Sequence, residues 1–264
     1  MTTAADEVER GELGREGIDA AVAALERAPP LEILAWIAAR CPGRVAFATG
    51  FGAEGCVLID LIGRHDLPIE IFTLDTGYLF PETHDLWRRL EQHYGLSIRR
   101  VRPGLKLEQG GQATQGKAPL WQTDPDRCCE LLKIDPLRGA LGKLDAWVTA
   151  IRREQTAVRR QANVVEWDAN FGLLKVNPLA AWTHAQVWER IREHEVPYNP
   201  LYTRQFASIG CWPCSSVVGP GESAREGRWR GRAKTECGLH QPARADGSSV
   251  RRVRDAQAPA IRDA

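Results

Sequence analysis

The feature that most constrains this chain is an order that repeats: a short apolar strand, a glycine turn, then a helix. Val45-Ala46-Phe47-Ala48 forms an apolar run that ends in Gly50-Phe51-Gly52, and residues 57–62 then continue at helical length. The order returns with a strand over residues 69–74, a loop at Asp75-Thr76-Gly77 and a helix over 83–94, and residues 96–101 begin another strand. Strands alternating with helices of about 10–15 residues require right-handed crossovers and a parallel sheet. The expected class is therefore α/β, with a mainly parallel sheet and helices on both faces.

The flanking sequence fills in this frame. Helix-period apolar residues run over 18–28 and 31–40, and Pro29-Pro30 separates them. Residues 103–125 are rich in Gly and Gln and read as a long loop of the kind that often carries function. A helix is expected over 131–144, ended or kinked at Pro136, and a strand over 146–151. Thr183 and Gln186 stand in capping-box spacing and open a helix through His194 that Pro197 closes. The expected division is a lead segment (1–30), an α/β domain (31–215) and a flexible C-terminal segment (216–264) that becomes a mobile tail from 241.

Charge excludes whole classes of partner. With 35 Lys and Arg against 34 Asp and Glu, the formal charge is +1, so the chain lacks the footprint of a nucleic-acid or anionic-membrane binder, and anion chemistry must be local. No apolar run approaches the roughly 18 residues of a membrane span, and residues 1–17 are acidic and polar where a signal peptide is basic and then apolar. A cytoplasmic protein is expected.

The seven cysteines are Cys41, Cys56, Cys128, Cys129, Cys211, Cys214 and Cys237, and an odd count in a reducing compartment argues against a disulfide framework. Cys211-Trp212-Pro213-Cys214 suits a redox pair, half a zinc site or half an iron-sulfur site, and Cys128-Cys129 offers a second pair. Using both adjacent thiols requires a turn or helix end, which Asp124-Pro125-Asp126 just upstream supplies. Spacing leaves a cluster, zinc and plain burial open. Cys41 and Cys56 read as small buried hydrophobes. Cys237 lies in Lys-Thr-Glu-Cys-Gly-Leu-His with Lys234 and His240 three residues to either side, and cations that lower a thiol's pKa make it a nucleophile. An incidental exposed cysteine is the competing reading.

Taken in order, these pieces resemble the assimilatory sulfonucleotide reductases, specifically the iron-sulfur adenylyl-sulfate (APS) reductases of the bacterial type. The resemblance runs from about Leu31 to His240 and includes Thr49 to Glu54, Leu74-Asp75-Thr76-Gly77 with Pro81-Glu82-Thr83, Asn177-Pro178-Leu179 and Pro197 to Leu201, besides the paired cysteines and the segment around Cys237. It implies an adenine-nucleotide α-hydrolase-like fold, a [4Fe-4S] cluster on Cys128, Cys129, Cys211 and Cys214, Cys237 as catalytic nucleophile, APS as substrate and thioredoxin as reductant. It further implies substrate contacts from Lys133, Arg225, Arg228 and His240, and nucleotide-binding loops at Thr49, Gly50 and Gly52 and at Leu74, Asp75 and Thr76.

The residues are chemically suited to those roles. A glycine turn at a helix N-terminus accommodates an anion or a ribose edge, and arginine forks match phosphate and sulfate oxygens. Arg152 and Arg153 follow a predicted strand end and are further substrate-binding candidates, although Ala150 stands where relatives usually carry Gly. In the implied chemistry Cys237 attacks the sulfur of APS, AMP leaves, and a dithiol releases sulfite from the S-sulfocysteine. Three rivals remain: reduction of the 3′-phosphorylated substrate (PAPS) or of both nucleotides, an ATP-using enzyme on the related pyrophosphatase scaffold, and a non-catalytic zinc or iron-sulfur binding protein. Phe51 and Glu54 depart from the Ser-Gly-Gly loop of the pyrophosphatase scaffold.

Overall fold

In a computed structural model describing residues 15–104, 118–232 and 234–240, the apolar runs of the first half become strands and the amphipathic stretches between them become helices. Two leading helices, α1 (Arg15–Leu25) and α2 (Pro30–Arg40), precede β1 (Val45–Thr49), α3 (Ala53–Arg64), β2 (Glu70–Leu74), α4 (Pro81–Tyr94) and β3 (Ile98–Val101). Pro30 and Pro81 occupy first turns, where no helical N–H is missed, and Gly95 closes α4 at φ 65°. Further on come α5 (Leu120–Thr123), α6 (Pro125–Cys129), α7 (Asp135–Leu141), β4 (Ala146–Val148), β5 (Val165–Asp168), β6 (Leu173–Val176) and α8 (His184–Glu193). Thr183 caps α8 as expected, accepting the Gln186 N–H at 3.2 Å while the Gln186 side chain accepts the Thr183 N–H at 2.8 Å.

Several local expectations change. The segment read as one loop over 103–125 contains α5, and its residues 105–117 lie outside the described residues, as does the tail from 241. Pro136 does not end its helix: a single π turn over Glu130–Ile134 joins α6 to α7, and Pro136 falls in the first turn of α7, where its missing N–H is tolerated. β4 stops at Val148, and the Thr149 N–H donates to the Val176 carbonyl at 2.9 Å. The β5–β6 hairpin was not expected, because four-residue strands with a buried Lys175 and an exposed Trp167 give almost no alternation to read.

The sheet has the order β3-β2-β1-β4-β6-β5, parallel throughout except for the antiparallel edge strand β5. From β1 the chain winds outward through β2 and β3, then returns to place β4 on the other side of β1. The carboxyl ends of β1 and β4 thus flank the switch point at which open α/β sheets bind ligands.

Both faces are covered. Phe47, Ile71, Val148 and Val176 pack on one side against α1 to α4 and α8 through residues such as Leu34, Leu58, Leu86 and Val187. Ala21 and Leu25 of α1 belong to this core. On the other side Phe72 and Trp147 meet Leu137 and Leu141 of α7, with Leu239 packed against the same cluster. Among the described residues no helix is long and apolar enough to cross a membrane.

One buried carboxylate ties three helices together. Asp60 of α3 is fully buried and accepts bonds from Arg64, from Tyr94 Oη of α4 at 2.9 Å and from Arg190 Nη2 of α8 at 2.8 Å. Burial pushes its pKa up, but the bonds from Arg190, Arg64 and Tyr94 outweigh that, and the net shift is down. A depressed folded-state pKa gives stability that is complete above the unfolded carboxylate value and is lost as pH falls through the folded one. Asp60→Asn should therefore cost about 3 kcal/mol at neutral pH. The gap from wild type should shrink below about pH 4 in denaturant titrations run across pH.

Candidate active site

The cavity at the switch point is walled by the loop after β1 (Thr49, Gly50, Gly52, Glu54, Gly55), by Thr73, Leu74, Thr76 and Leu79 around the loop after β2, and by Thr149, Ala150 and Ile151 after β4. Lys133, Arg159, Arg225, Arg228, Cys237 and His240 close it.

The first loop is tightly wound. Phe51 adopts φ 58°, a left-handed conformation that costs a non-glycine residue about 1 kcal/mol or more. Its ring repays that by complete burial, stacked 5.6 Å from Trp87, and its N–H donates to Thr49 Oγ1 at 3.1 Å. A Cβ on Gly55 would lie 2.9 Å from Thr49 Oγ1, so the helix can start this close to β1 only with glycine there. Ala53 N–H donates to Tyr202 Oη at 3.0 Å, fixing the first turn of α3. The positive end of that helix faces the cavity through Gly52, Glu54 and Gly55.

In the second loop Asp75 does not line the cavity. Its Oδ1 accepts the Gly77 N–H at 3.1 Å, and its Oδ2 faces Arg100 at 3.4 Å and Arg102 at 3.8 Å. Thr76 Oγ1 accepts the Tyr78 N–H at 3.2 Å and lies 3.3 Å from Cys211 Sγ. A β-bridge between Leu79 and Cys211 carries this loop to the CxxC, and a second between Ser215 and Arg228 carries the CxxC to the cations.

Cys237 sits at the cationic end, half-buried. Burial pushes its thiol up, but the Lys133 ammonium, the Leu239 N–H and the Arg159 guanidinium outweigh both that and the Glu236 carboxylate, so the net shift is down. Lys133 projects from the π turn. Burial pulls its pKa down, yet the facing sulfurs of Cys211, Cys129 and Cys237 hold it protonated and above its usual range. Burial brings Arg225 down to about 10 against the pull of Glu236. Arg228 donates from Nε to the Cys214 carbonyl at 2.9 Å, and its guanidinium lies over the Trp229 ring at 4.7 Å. His240 stacks on Trp147 at 5.8 Å, and burial, with Arg159, Lys175 and Arg225, holds it well below its ordinary pKa, hence neutral at neutral pH.

A second, smaller cavity borders the first through Lys133 and is lined by Cys128, Cys129, Cys211 and Cys214 together with Tyr78, Trp121, Leu132 and Pro213. Among the described residues no set of three or more His, Cys, Asp or Glu forms a ready single-ion site. The four thiols instead spread around a common space. Burial, and then mutual repulsion with Cys129, Cys211 and Cys214, pushes Cys128 up to about 12, and burial pushes Cys129 and Cys214 up as well. Cys128, Cys129, Cys211 and Cys214 thus present four sulfur donors to one space. Cys41 and Cys56 are buried in the sheet's other face.

Most of the residues singled out in the sequence come together here: Thr49, Gly50, Gly52, Leu74, Thr76, Lys133, Arg225, Arg228, Cys237 and His240 share one cavity. Arg152 and Arg153 do not line it. Arg152 bonds to Glu154 and, at 2.9 Å, to Glu54, whereas Arg153 turns to Glu26 and to the Ala162 carbonyl at 2.7 Å. The cation reaching the cavity from this stretch is Arg159, held in a 3₁₀ turn over Val158–Gln161. No periodicity marks so short a turn, and only the Arg159-Arg160 doublet could have drawn attention to it.

Residues 44–217 match the family described as "Phosphoadenosine phosphosulfate reductase domain". The chain is 40% identical over 221 residues to an adenosine 5′-phosphosulfate reductase of Salinibacter ruber, covering 83% of this chain and 87% of that protein. It is 44% identical over 201 residues to one of Allochromatium vinosum, covering 75% and 78%. The crystal structure of phosphoadenylyl-sulfate (PAPS) reductase from Candida auris, a phosphate complex, superposes with TM-score 0.67 at 31% identity, covering 78% of this chain and 98% of that one. The fold is shared with yeast FAD synthetase, at TM-score 0.50 and 17% identity over 78% of this chain and 70% of that one.

Gly210 tests the cation wall. A Cβ there would lie 2.4 Å from Arg228 Nη2, so Gly210→Ala must displace the guanidinium from its place beside the cavity. Offered AMP as an anionic probe, Gly210→Ala should bind it roughly tenfold more weakly than wild type in calorimetry, the size expected of one charge-assisted contact, with the melting temperature little changed.

Proposed function

The chain belongs to the phosphoadenosine phosphosulfate reductase domain family and is an oxidoreductase, and from that premise we propose that it reduces APS to sulfite and AMP in sulfate assimilation, with thioredoxin as electron donor. The observation that carries this reading is the meeting, in one cavity, of a lowered-pKa thiol, four cations and a glycine loop at a helix N-terminus. APS requires those parts: an adenosine pocket, donors for adjoining phosphate and sulfate groups, and a nucleophile at the sulfate end.

The nucleotide occupies the switch-point cavity, its base and ribose toward the loops after β1 and β2. Lys133, Arg225 and Arg228 bind the phosphosulfate, with Arg159 behind them. His240, neutral and stacked on Trp147, offers a ring nitrogen, and its Nδ1 has no partner among the described residues. The Cys237 thiolate attacks sulfur, so that an S–S bond forms, the S–O bond breaks, and its electron pair leaves with AMP. Cations at the bridging oxygen stabilise the departing charge. A thioredoxin thiolate then attacks Cys237 Sγ and releases sulfite, and the second thioredoxin thiol resolves the mixed disulfide and returns the Cys237 thiol. The dithiol supplies both electrons.

Cys128, Cys129, Cys211 and Cys214 are assigned to a [4Fe-4S] cluster, on the strength of their shared cavity and donor set. A bound cluster would supply fixed local charge and tie α6 to the CxxC turn, and would hold Lys133 and the Cys211 side of the cavity with it. The cytoplasm is the compartment that fits seven unpaired thiols.

Cys237→Ser should abolish sulfite formation from APS by more than about a thousandfold while leaving iron content and AMP binding as in wild type. Cys128→Ser or Cys214→Ser should instead lose the iron and its visible absorption. Loss of iron in Cys237→Ser would place that residue among the ligands. Side-by-side assays with APS and PAPS decide substrate: equal kcat/KM would replace the APS assignment with dual specificity.

A further inference from the structure

Glu236, the residue before the nucleophile, is the most heavily bonded carboxylate among the described residues of the C-terminal segment. Its side chain is 1% exposed. Arg159 donates to it twice, Nε to Oε1 at 3.0 Å and Nη2 to Oε2 at 2.9 Å. Thr156 Oγ1 adds a bond to Oε1 at 3.0 Å, and Arg225 Nη2 one to Oε2 at 3.0 Å. Four donors thus fill both oxygens. They come from two separate stretches of chain, the 3₁₀ turns after β4 and the loop at 225.

The rest of the segment has fewer bonds per residue. Lys234 bonds to the exposed Asp126 and lies over the Trp229 ring at 5.5 Å, and the Thr235 carbonyl accepts Arg225 Nη2 at 2.7 Å. Gly238 turns at φ 88°, where a Cβ would come within 2.9 Å of Ile134 Cδ1, so the segment crosses the π turn closely but without a polar anchor of its own. Leu239 and His240 add apolar and ring contacts. Glu236 is the most deeply buried charge among residues 234–240, its side chain 1% exposed against 8% for Lys234. A buried carboxylate is tolerated only while its partners stay in place, so the Glu236 contacts are made together or not at all. The grip also extends inward: Arg159 Nη1 donates to Gln155 Oε1 at 2.6 Å, and Gln155 Nε2 donates to Glu54 Oε1 at 3.0 Å in the first nucleotide loop.

We propose that Glu236 is a positioning residue for the nucleophile: its bonds to Arg159, Arg225 and Thr156 dock the Cys237 thiol at the cavity for attack, and their release exposes it to the reductant. The inference rests on the assignment of Cys237 as nucleophile. It makes the two halves of the cycle respond oppositely. Sulfonation of Cys237 needs the docked segment, whereas removal of sulfite by a protein dithiol needs the undocked one.

The test uses the full-length, iron-loaded protein as wild type, Glu236→Gln and Thr156→Val. Transfer of the sulfo group from APS without reductant is followed by the mass of the Cys237 peptide. Release of sulfite from isolated S-sulfo protein by thioredoxin is timed separately, and the resting Cys237 thiol is alkylated with iodoacetamide. Glu236→Gln should sulfonate about tenfold or more slowly, with AMP affinity near wild type, because charge-assisted bonds are lost only from the docked state. Its sulfite release should be as fast or faster, and Cys237 alkylation faster. Thr156→Val, which removes one of four donors, should show the same signs with smaller factors and serves if Glu236→Gln does not fold. Unchanged sulfonation in Glu236→Gln would overturn the proposal, as would proportional slowing of both half-reactions with unchanged alkylation. If wild type takes no sulfo group on Cys237, the functional reading fails instead, and the alkylation comparison, which needs no substrate, still decides the docking.

Discussion

A parallel sheet can be extended only by carrying the chain back over one of its faces, and each return delivers the next strand's carboxyl end to the same edge. The rest of this molecule depends on that constraint. The loops after β1, β2 and β4 are far apart in sequence yet open side by side, and the reversal of winding at β1 leaves between them a crevice that no crossover covers. The sheet and its loops contribute small residues to this crevice, among them Thr49, Gly50, Thr76 and Ala150, and the apolar Leu74 and Trp147, but no thiol and no cation. Reactive groups have to be brought in by segments that are not strands: the π turn with Lys133, the stretch 209–229 with Arg225 and Arg228, and the C-terminal segment with Cys237.

The imported cations coexist within a chain of formal charge +1 because nearly all of them are already balanced by neighbours. Arg159 and Arg225 share Glu236, Arg152 sits between Glu54 and Glu154, and Arg228 rests on a carbonyl and a tryptophan face. Bare guanidiniums this close would repel one another and leave buried donors unsatisfied. With their partners in place they are fixed in orientation before any ligand arrives. An anion entering the cavity then meets donors that need little reorganisation, which favours stabilising developing charge over merely attracting substrate. Lys133 differs, because its facing groups are sulfurs, and its charge links the thiol cavity to the nucleotide cavity.

Legibility in the sequence followed the length of the element. β1 to β3 with α3 and α4 could be read because a glycine turn separated two clear periods, and α8 because Thr183 and Gln186 cap it. The β5–β6 hairpin could not, since four residues with Lys175 buried against Trp147 imitate neither an exposed nor a core strand. The π turn was also invisible: a helical pattern containing Pro136 reads as a break, and only the insertion of a wider turn allows the helix to continue. In the site, residues with distinctive chemistry at distinctive spacing stood out, namely the paired cysteines and the segment around Cys237. The supporting residues did not. Arg152, Arg153 and Arg159 are indistinguishable by type, and only the turns after β4 decide that the first two face carboxylates while the third reaches the cavity.

The same turns explain why the glycine loop and the C-terminal segment are mechanically related. Residues 152–161 stand between them, with the Arg152 N–H and Arg159 Nη1 both bonded to Gln155 Oε1, at 3.0 and 2.6 Å, and Gln155 Nε2 bonded to Glu54. A side-chain amide in that place offers an acceptor to the arginines and a donor to the carboxylate at once, which neither a carboxylate nor an ammonium could do. Glu54 Oε1 also accepts Arg152 Nε at 2.9 Å, so the first loop, the turns after β4 and, through Arg159, the Glu236 side chain belong to one set of hydrogen bonds. Gln155 is the joint of that set: the turns that seat the nucleophile's anchor also hold the first loop.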